Sequence, residues 1–291
     1  MRHAILGGGA IGGLVGTALA SLGEDVTVIV RPDKLAGYPE RLTLERPSGT
    51  ITAPARAVAR LTEPVDVLWI ATKTYQLDEA LKSAGSTPKM IVPLLNGVDH
   101  VAALRALHGK DRVVPATIAV EAERTAPGHF VQRSPFVRFN LASSAEPVLG
   151  PIVARLGEMG FTCQFTANEQ TLLWSKLCFL APMALTSSAS VCNKGEMFTD
   201  PEWKGKLYSA VEEACAVAHA SRAEVDAAKI QDFIASMPDG MRSSMQKDVA
   251  AKRQLEVDAI GGPIVRGGQH YGIDVSVTEE LMSAIRAKTA A

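Results

Sequence analysis

Three observations predict an α/β N-terminal domain followed by an all-helical C-terminal domain. A short apolar run near the start ends in five glycines within eight residues, the stretch LGGGAIGG at 6–13. Apolar runs of strand length then alternate with helical stretches to about residue 165. From about Ala167 onward the apolar residues recur at helical spacing almost throughout.

The first elements set the class. His3 to Leu6 reads as a buried strand, residues 11 to 22 as a helix stopped by Gly23, and the β-branched run Val26 to Val30 as a second strand. The glycines therefore lie in the strand-to-helix turn of a βαβ unit. Their spacing, Gly7-x-Gly9-x-x-Gly12, fits the Rossmann-type dinucleotide fingerprint. Gly7 makes the tight turn, Gly9 leaves room for a pyrophosphate, and Gly12 lets the helix approach the strand. The backbone N–H groups that open the helix, at Ala10 and Ile11, attract phosphates. An ordinary tight βα turn is the competing reading, and the strand–helix–strand order favours the fingerprint.

Further along, Leu42 to Glu45 and Thr50 to Pro54 read as a hairpin, and Val65 to Thr72 as a buried parallel strand. Tyr75 to Ala84 reads as a helix, Met90 to Leu95 as a strand and 99–108 as a helix. Strands are expected near 112–120, 129–133 and 136–142 as antiparallel additions at the sheet edge. Helix 151–159 and strand Thr162 to Phe165 complete a first domain at 1–166. The second, 167–291, has helices expected at 168–190, 201–220, 224–236, 240–266 and 276–288.

About 20 residues past the glycines, an acid usually binds the ribose 2′-hydroxyl of NAD. Arg31 stands there instead. A guanidinium would hold a 2′-phosphate through charge-assisted hydrogen bonds, which favours NADP(H), with Lys34 assisting. Asp33 keeps NAD(H) open, and a solvated surface arginine is the plain alternative.

A net charge of −1 gives no basic excess for nucleic acid and no polybasic patch for a membrane. The apolar stretches read as too short or too interrupted to span a bilayer, and the first strand leaves no room for a signal peptide. Cys163, Cys178, Cys192 and Cys215 show no CxxC pairing, as expected of reduced thiols in a cytoplasmic protein. The six histidines lack metal-ligand spacing, so no metal is expected. A small-molecule substrate is the expected partner, for a monomer or homodimer.

Ligands in open α/β sheets lie beyond the carboxyl ends of strands. Two such ends carry Lys73 and Asn96-Gly97, which read either as site residues or as turn residues. In the helical half, Lys176 stands within the nearly all-apolar TLLWSKLCFLAPMALT. Burial there lowers a lysine's pKa toward a range useful to a proton donor. A lysine snorkelling to the helix surface fits the same pattern.

Together these motifs resemble the ketopantoate reductase (2-dehydropantoate 2-reductase) family over the whole chain. The likeness is carried by GGGAIG at 7–12, Arg31, TK at 72–73, NG at 96–97, LWSKL at 173–177, SSM at 243–245 and EVDAIGG at 256–262. It implies NADPH-dependent reduction of a 2-oxo acid, 2-dehydropantoate, on the route to pantothenate and coenzyme A. By resemblance, Gly7, Gly9, Ala10, Ile11, Gly12, Arg31, Lys73 and Asn96 bind the cofactor. Lys176 is the general acid, and Glu256 binds the reacting groups and helps to position Lys176. Asn96, Lys176, Ser244 and Glu256 meet the substrate, Ser244 at its carboxylate. The family usually has asparagine where this chain has Leu180, Ala184 and Met241. Those changes leave open a more apolar 2-oxo acid as substrate, or a non-catalytic NADPH-binding protein. Ser187, Ser188 or Asn193 are nearby polar groups that could compensate.

Overall fold

The continuous apolar runs of the first half become strands of a sheet covered on both faces, as such runs require. The computed structural model describes residues 1–290. Its N-terminal part runs β1 (Arg2–Leu6), α1 (Ala10–Ser21), β2 (Asp25–Ile29), the one-turn α2 (Pro32–Leu35), β3 (Arg41–Arg46), β4 (Gly49–Pro54), β5 (Arg56–Val58) and β6 (Val67–Ile70). It continues α3 (Leu77–Leu81), β7 (Met90–Pro93), α4 (Asp99–His108), β8 (Ala116–Ala119), β9 (Ala122–Ala126), β10 (His129–Gln132), β11 (Val137–Ala142), α5 (Glu146–Glu158) and β12 (Phe161–Thr166).

Five strands form a parallel sheet in the order β5-β2-β1-β6-β7. This is the order of a Rossmann-like sheet, whose chain direction reverses its progress between β1 and β6. All four residues of β6 and of β7 are buried, as are the last four of β1. The remaining strands do not extend this sheet's edge as expected. They make two further sheets, β4-β3-β10-β9 and β12-β11-β8. A single bridge, Ile91 to Val113, links β7 to the segment before β8. Strand β5 and helix α2 are too short to show a period, and β9 (AERTA) is exposed and carries no apolar run; none of the three was anticipated. Helix α5 starts at Glu146, five residues before the expected 151, because Pro147 occupies its first turn and Pro151 lies inside it.

The second part is helical: α6 (Glu169–Ser190), α7 (Lys194–Thr199), α8 (Pro201–Ala220), α9 (Ala227–Ala235), α10 (Ser244–Ala250), α11 (Val257–Tyr271) and α12 (Ser276–Ala290). Asn168 caps α6, its side chain accepting from the N–H groups of Gln170 and Thr171 at 3.0 Å each. Fourteen of the 22 residues of α6 are buried, which places it at the centre of the helical core. By length and composition α6 is apolar enough to cross a membrane, but 78% of that stretch is buried inside the protein. Cys178 and Cys215 are buried and free in this core; Cys163 and Cys192 are half-buried and free.

The expected helix at 240–266 is two helices. Lys252 adopts a left-handed conformation, φ +50°, and the chain turns with Arg253 N–H bonded to the Asp248 carbonyl at 2.9 Å. Without a glycine or proline, this stop leaves little trace in the sequence. The chain groups into two units: Met1–Leu95 with His100–Ala167, and Asn96–Asp99 with the chain from Asn168 onward. Asn96–Asp99, which follow β7 after two intervening residues, thus belong to the helical unit.

Candidate active site

The glycine turn follows β1, beside β6, where the strand order reverses. Gly7 has φ +106°, and a Cβ there would lie 2.9 Å from the backbone of Ala71 and Thr72 just past β6. A Cβ on Gly12 would sit 2.1 Å from the Gly7 carbonyl oxygen and 2.9 Å from Ile5 Cγ2. Among the glycines of the turn, Gly9 faces open space, with no heavy atom within 4 Å of its ideal Cβ position. Gly13 answers a different demand: a Cβ there would be 2.0 Å from the Phe130 ring, on β10. The density of glycine therefore has two causes, an open approach at Gly9 and close packing around α1. Gly12→Ala is expected to displace the start of α1, lowering stability by about 1–3 kcal/mol and weakening dinucleotide binding more than tenfold. Thermal melting and cofactor titration of the same variant check both.

Several features around the turn fit a phosphate-bearing dinucleotide. Two buried hydroxyls, Tyr38 Oη and Thr72 Oγ1, have no hydrogen-bond partner. Burial pushes the Tyr38 phenol's pKa up, opposed by the charge of Arg124. Arg124, on β9, donates from Nη1 to the Gly8 carbonyl at 3.3 Å and adds a cation to the turn. Arg31 stands just past β2 with its side chain 75% exposed, 3.8 Å from Asp33. Lys34 lies 3.2 Å from the other oxygen of Asp33, so one carboxylate stands between two cations. Their pull holds the Asp33 carboxyl below its usual pKa. Lys73 is half-buried and opens a single 3₁₀ turn over Thr74–Gln76.

The helical unit gathers three of the residues singled out in the sequence. Lys176 Nζ donates to Asn96 Oδ1 at 3.0 Å. The same amide's Nδ2 lies 3.5 Å from Glu256 Oε2, so Asn96 stands between the ammonium and the carboxylate. Gly97, at φ +86°, makes this possible: a Cβ there would be 2.2 Å from the Ala259 carbonyl, so the Asn-Gly turn lies directly against α11. Glu256 precedes the first residue of α11 and is 6% exposed. Desolvation lowers the pKa of Lys176 from 10.5 to about 8, with the negative charge of Glu256 opposing the fall.

Ser244 is not part of this cluster by direct contact. It is the first residue of α10 and is exposed, whereas Glu256 lies beyond the break, at the residue that leads into α11. Leu180 and Ala184, one and two turns on from Lys176, differ in placement. Leu180 is half-buried, while Ala184 is 1% exposed in the helical core, against which Met241 also packs. Ser187 and Ser243 hydroxyls bond each other at 2.8 Å. Asn193 caps α7 reciprocally with Glu196. Ser188 Oγ is buried without a partner.

The family profile described as Ketopantoate reductase PanE/ApbA matches residues 3–145, and its C-terminal counterpart matches 168–289. The chain belongs to the ketopantoate reductase family. A 2-dehydropantoate 2-reductase of Caulobacter vibrioides is 30% identical over 98% of each chain. The crystal structure of a PanE/ApbA family ketopantoate reductase from Ralstonia eutropha JMP134 is 25% identical, covers 100% of this chain and 99% of its own, and superposes with a TM-score of 0.87. The ternary structure of a D-mandelate dehydrogenase with NADH and anilino(oxo)acetate shares the fold, with a TM-score of 0.88 at 21% identity and coverage of 100% and 99%. The protein is therefore an oxidoreductase of the 2-dehydropantoate 2-reductase type. Nothing in the sequence spacing signals Arg124, which reaches the glycine turn from the exposed, polar strand β9. The Ser187–Ser243 pair is equally invisible, because it joins residues 56 positions apart.

Proposed function

We propose that the protein is an NADPH-dependent reductase of a 2-oxo acid, acting on 2-dehydropantoate to give pantoate. The observation that carries this reading is the partly desolvated Lys176 held by Asn96 beside Glu256. When bound, the dihydronicotinamide supplies a hydride to the ketone carbon. Lys176 gives its proton to the ketone oxygen as the carbon–oxygen double bond becomes a hydroxyl, and then regains a proton from solvent. An acid with a pKa near 8 is still largely protonated at pH 7, yet releases its proton more readily than a free lysine. The Asn96 amide fixes the direction of the ammonium by accepting one of its three hydrogens. The Glu256 carboxylate keeps the site charged enough to hold that ammonium. The exposed Ser244 hydroxyl is available to the substrate carboxylate. Gly7, Gly9, Ala10, Ile11, Gly12 and Lys73 line the dinucleotide, and the protein works in the cytoplasm. Turnover with NADPH and NADH across a panel of 2-oxo acids tests the reading, and no turnover with any of them overturns it.

Arg31 supports NADPH over NADH, because its exposed guanidinium can meet a 2′-phosphate and no acid occupies its position. Arg31→Glu is expected to weaken NADPH binding by at least tenfold while leaving NADH within a few-fold. Cofactor titration of both proteins checks this; equal affinities in the wild type would refute the preference.

A second reading is favoured by the Lys176 face of α6. Leu180 and Ala184 offer no hydrogen bond, Ser187 and Ser243 satisfy each other, and Asn193 is engaged in a helix cap. This face suits a 2-oxo acid whose tail is apolar.

A further inference from the structure

The segment that leads into Ser244 is held from behind by a group of residues with no part in the chemistry above. Helix α7 has a fixed start, since Asn193 Oδ1 accepts from Glu196 N–H at 2.9 Å and Glu196 Oε2 accepts from Asn193 N–H at 2.7 Å. The next residue, Lys194, has a side chain only 7% exposed and reaches the carboxylate of Asp239 at 2.9 Å; the Asp239 side chain is 82% exposed. The ammonium also lies 4.5 Å from the centre of the Phe198 ring. Two backbone bonds run in parallel with this ion pair, from Lys194 N–H to the Met241 carbonyl at 3.0 Å and from Gly195 N–H to the Asp239 carbonyl at 2.8 Å. Gly195 permits the approach, because a Cβ there would lie 2.7 Å from Asp239 Cβ. Farther along, Ser243 is bonded to Ser187 at 2.8 Å, and Gln246 Nε2 donates to the Cys192 carbonyl at 3.0 Å. The stretch 239–246 is thus fastened to α6 and to the start of α7 on both sides of Ser244. Ser243 and Met245 are buried, and Ser244 between them points outward.

An ammonium buried against a carboxylate that remains in water is a poor source of stability. A methionine of similar length would pack there without the desolvation penalty. What the pair does supply is direction, because it fixes Asp239 and the turn behind it. We propose that Lys194 and Gly195, through Asp239, are positioning residues that set where Ser244 stands and so tune binding of the 2-oxo acid. This rests on the reading of Ser244 as the group that meets the substrate carboxylate.

The test compares Lys194→Met, Lys194→Arg, Gly195→Ala and Ser244→Ala in the full chain. In Lys194→Met, amide exchange over 239–246 should quicken and KM for the 2-oxo acid should rise, each about tenfold. Its kcat should stay within about twofold, and cofactor affinity and melting temperature should not fall. Gly195→Ala should raise KM in the same way, and Lys194→Arg should restore most of the wild-type KM. Ser244→Ala should raise KM without quickening exchange. Unchanged exchange in Lys194→Met overturns the clamp. Quickened exchange with unchanged KM, where Ser244→Ala does raise KM, overturns its effect on substrate. If Ser244→Ala itself leaves KM unchanged, the reading of Ser244 is what fails, and the positioning role falls with it.

Discussion

Replacing Lys176 with methionine is expected to lower turnover by about 10²–10⁴-fold, the usual worth of a positioned general acid, and at the same time to raise the melting temperature. The two effects share one cause. The ammonium gives up its proton near pH 8 rather than 10.5 because burial disfavours the charge more than Glu256 favours it. Between those pH values the unfolded chain holds a proton that the folded chain has lost, so this group's contribution to stability falls as pH drops from 10.5 to 8. At neutral pH the full penalty is present, about 3 kcal/mol by the equivalence of pKa and free energy. Methionine removes the charge and forfeits one hydrogen bond to Asn96, worth about 1 kcal/mol, leaving a net gain. Cofactor affinity should stay near the wild-type value, since the glycine turn is untouched. The wild type carries a matching signature in its pH dependence. Reduction needs the protonated amine, so kcat/KM for the 2-oxo acid should fall above about pH 8, and oxidation of the hydroxy acid should rise through the same pH. A methionine variant with near wild-type kcat would make Lys176 a structural residue.

How far this site was legible in the sequence depends on the distance over which each feature is set. The glycine fingerprint is local: a tight turn between two adjacent elements fixes its spacing, and the structure finds Gly7 and Gly12 crowded and Gly9 open, as the motif requires. The parallel strands were legible because burial on both faces leaves an unbroken apolar run. Beyond the β3–β4 hairpin, the pairing within the two mixed sheets was not, since a partnership such as the parallel one of β3 with β10 joins residues some 86 positions apart and depends on tertiary packing. Lys176 stood out by contrast with its apolar helix. Its meeting with Asn96 did not, because that depends on Gly97 lying against Ala259. The break before Glu256 was missed for a related reason. A lysine in the left-handed region ends α10, and the chain signals such an ending reliably only when glycine is used. One consequence is that Ser244 and Glu256 are freed from the 120° separation that a single ideal helix would impose on them.

On the second reading, wild-type protein is expected to favour an apolar, branched 2-oxo acid such as 2-oxoisovalerate over 2-dehydropantoate by about one to two orders of magnitude in kcat/KM. Two hydrogen bonds to neutral groups, absent at the half-buried Leu180 and Met241 and worth about 0.5–1.5 kcal/mol each, set that range. The structure decides which substitution tests it cleanly. Ala184 is 1% exposed and lies in the helical core, so an asparagine there would bury an amide in apolar surroundings. Such a variant would lose stability by overpacking and by an unsatisfied polar group, and its kinetics would report on folding as much as on recognition. Leu180 is half-buried and one turn from Lys176, so an asparagine there keeps its amide within reach of solvent or substrate. Leu180→Asn alone should raise kcat/KM for 2-dehydropantoate by about two- to tenfold, one neutral hydrogen bond's worth. It should lower kcat/KM for the apolar acid through loss of leucine contact, with melting temperature within a few degrees of the wild type. Ser187 and Ser243 are not expected to rescue 2-dehydropantoate in the wild type, because recruiting either hydroxyl would break their mutual bond in a site closed to water. If the wild type instead turns over 2-dehydropantoate efficiently and the apolar acids poorly, the α6 face beyond Lys176 does not select substrate, and the hydroxyl of 2-dehydropantoate is recognised by other groups.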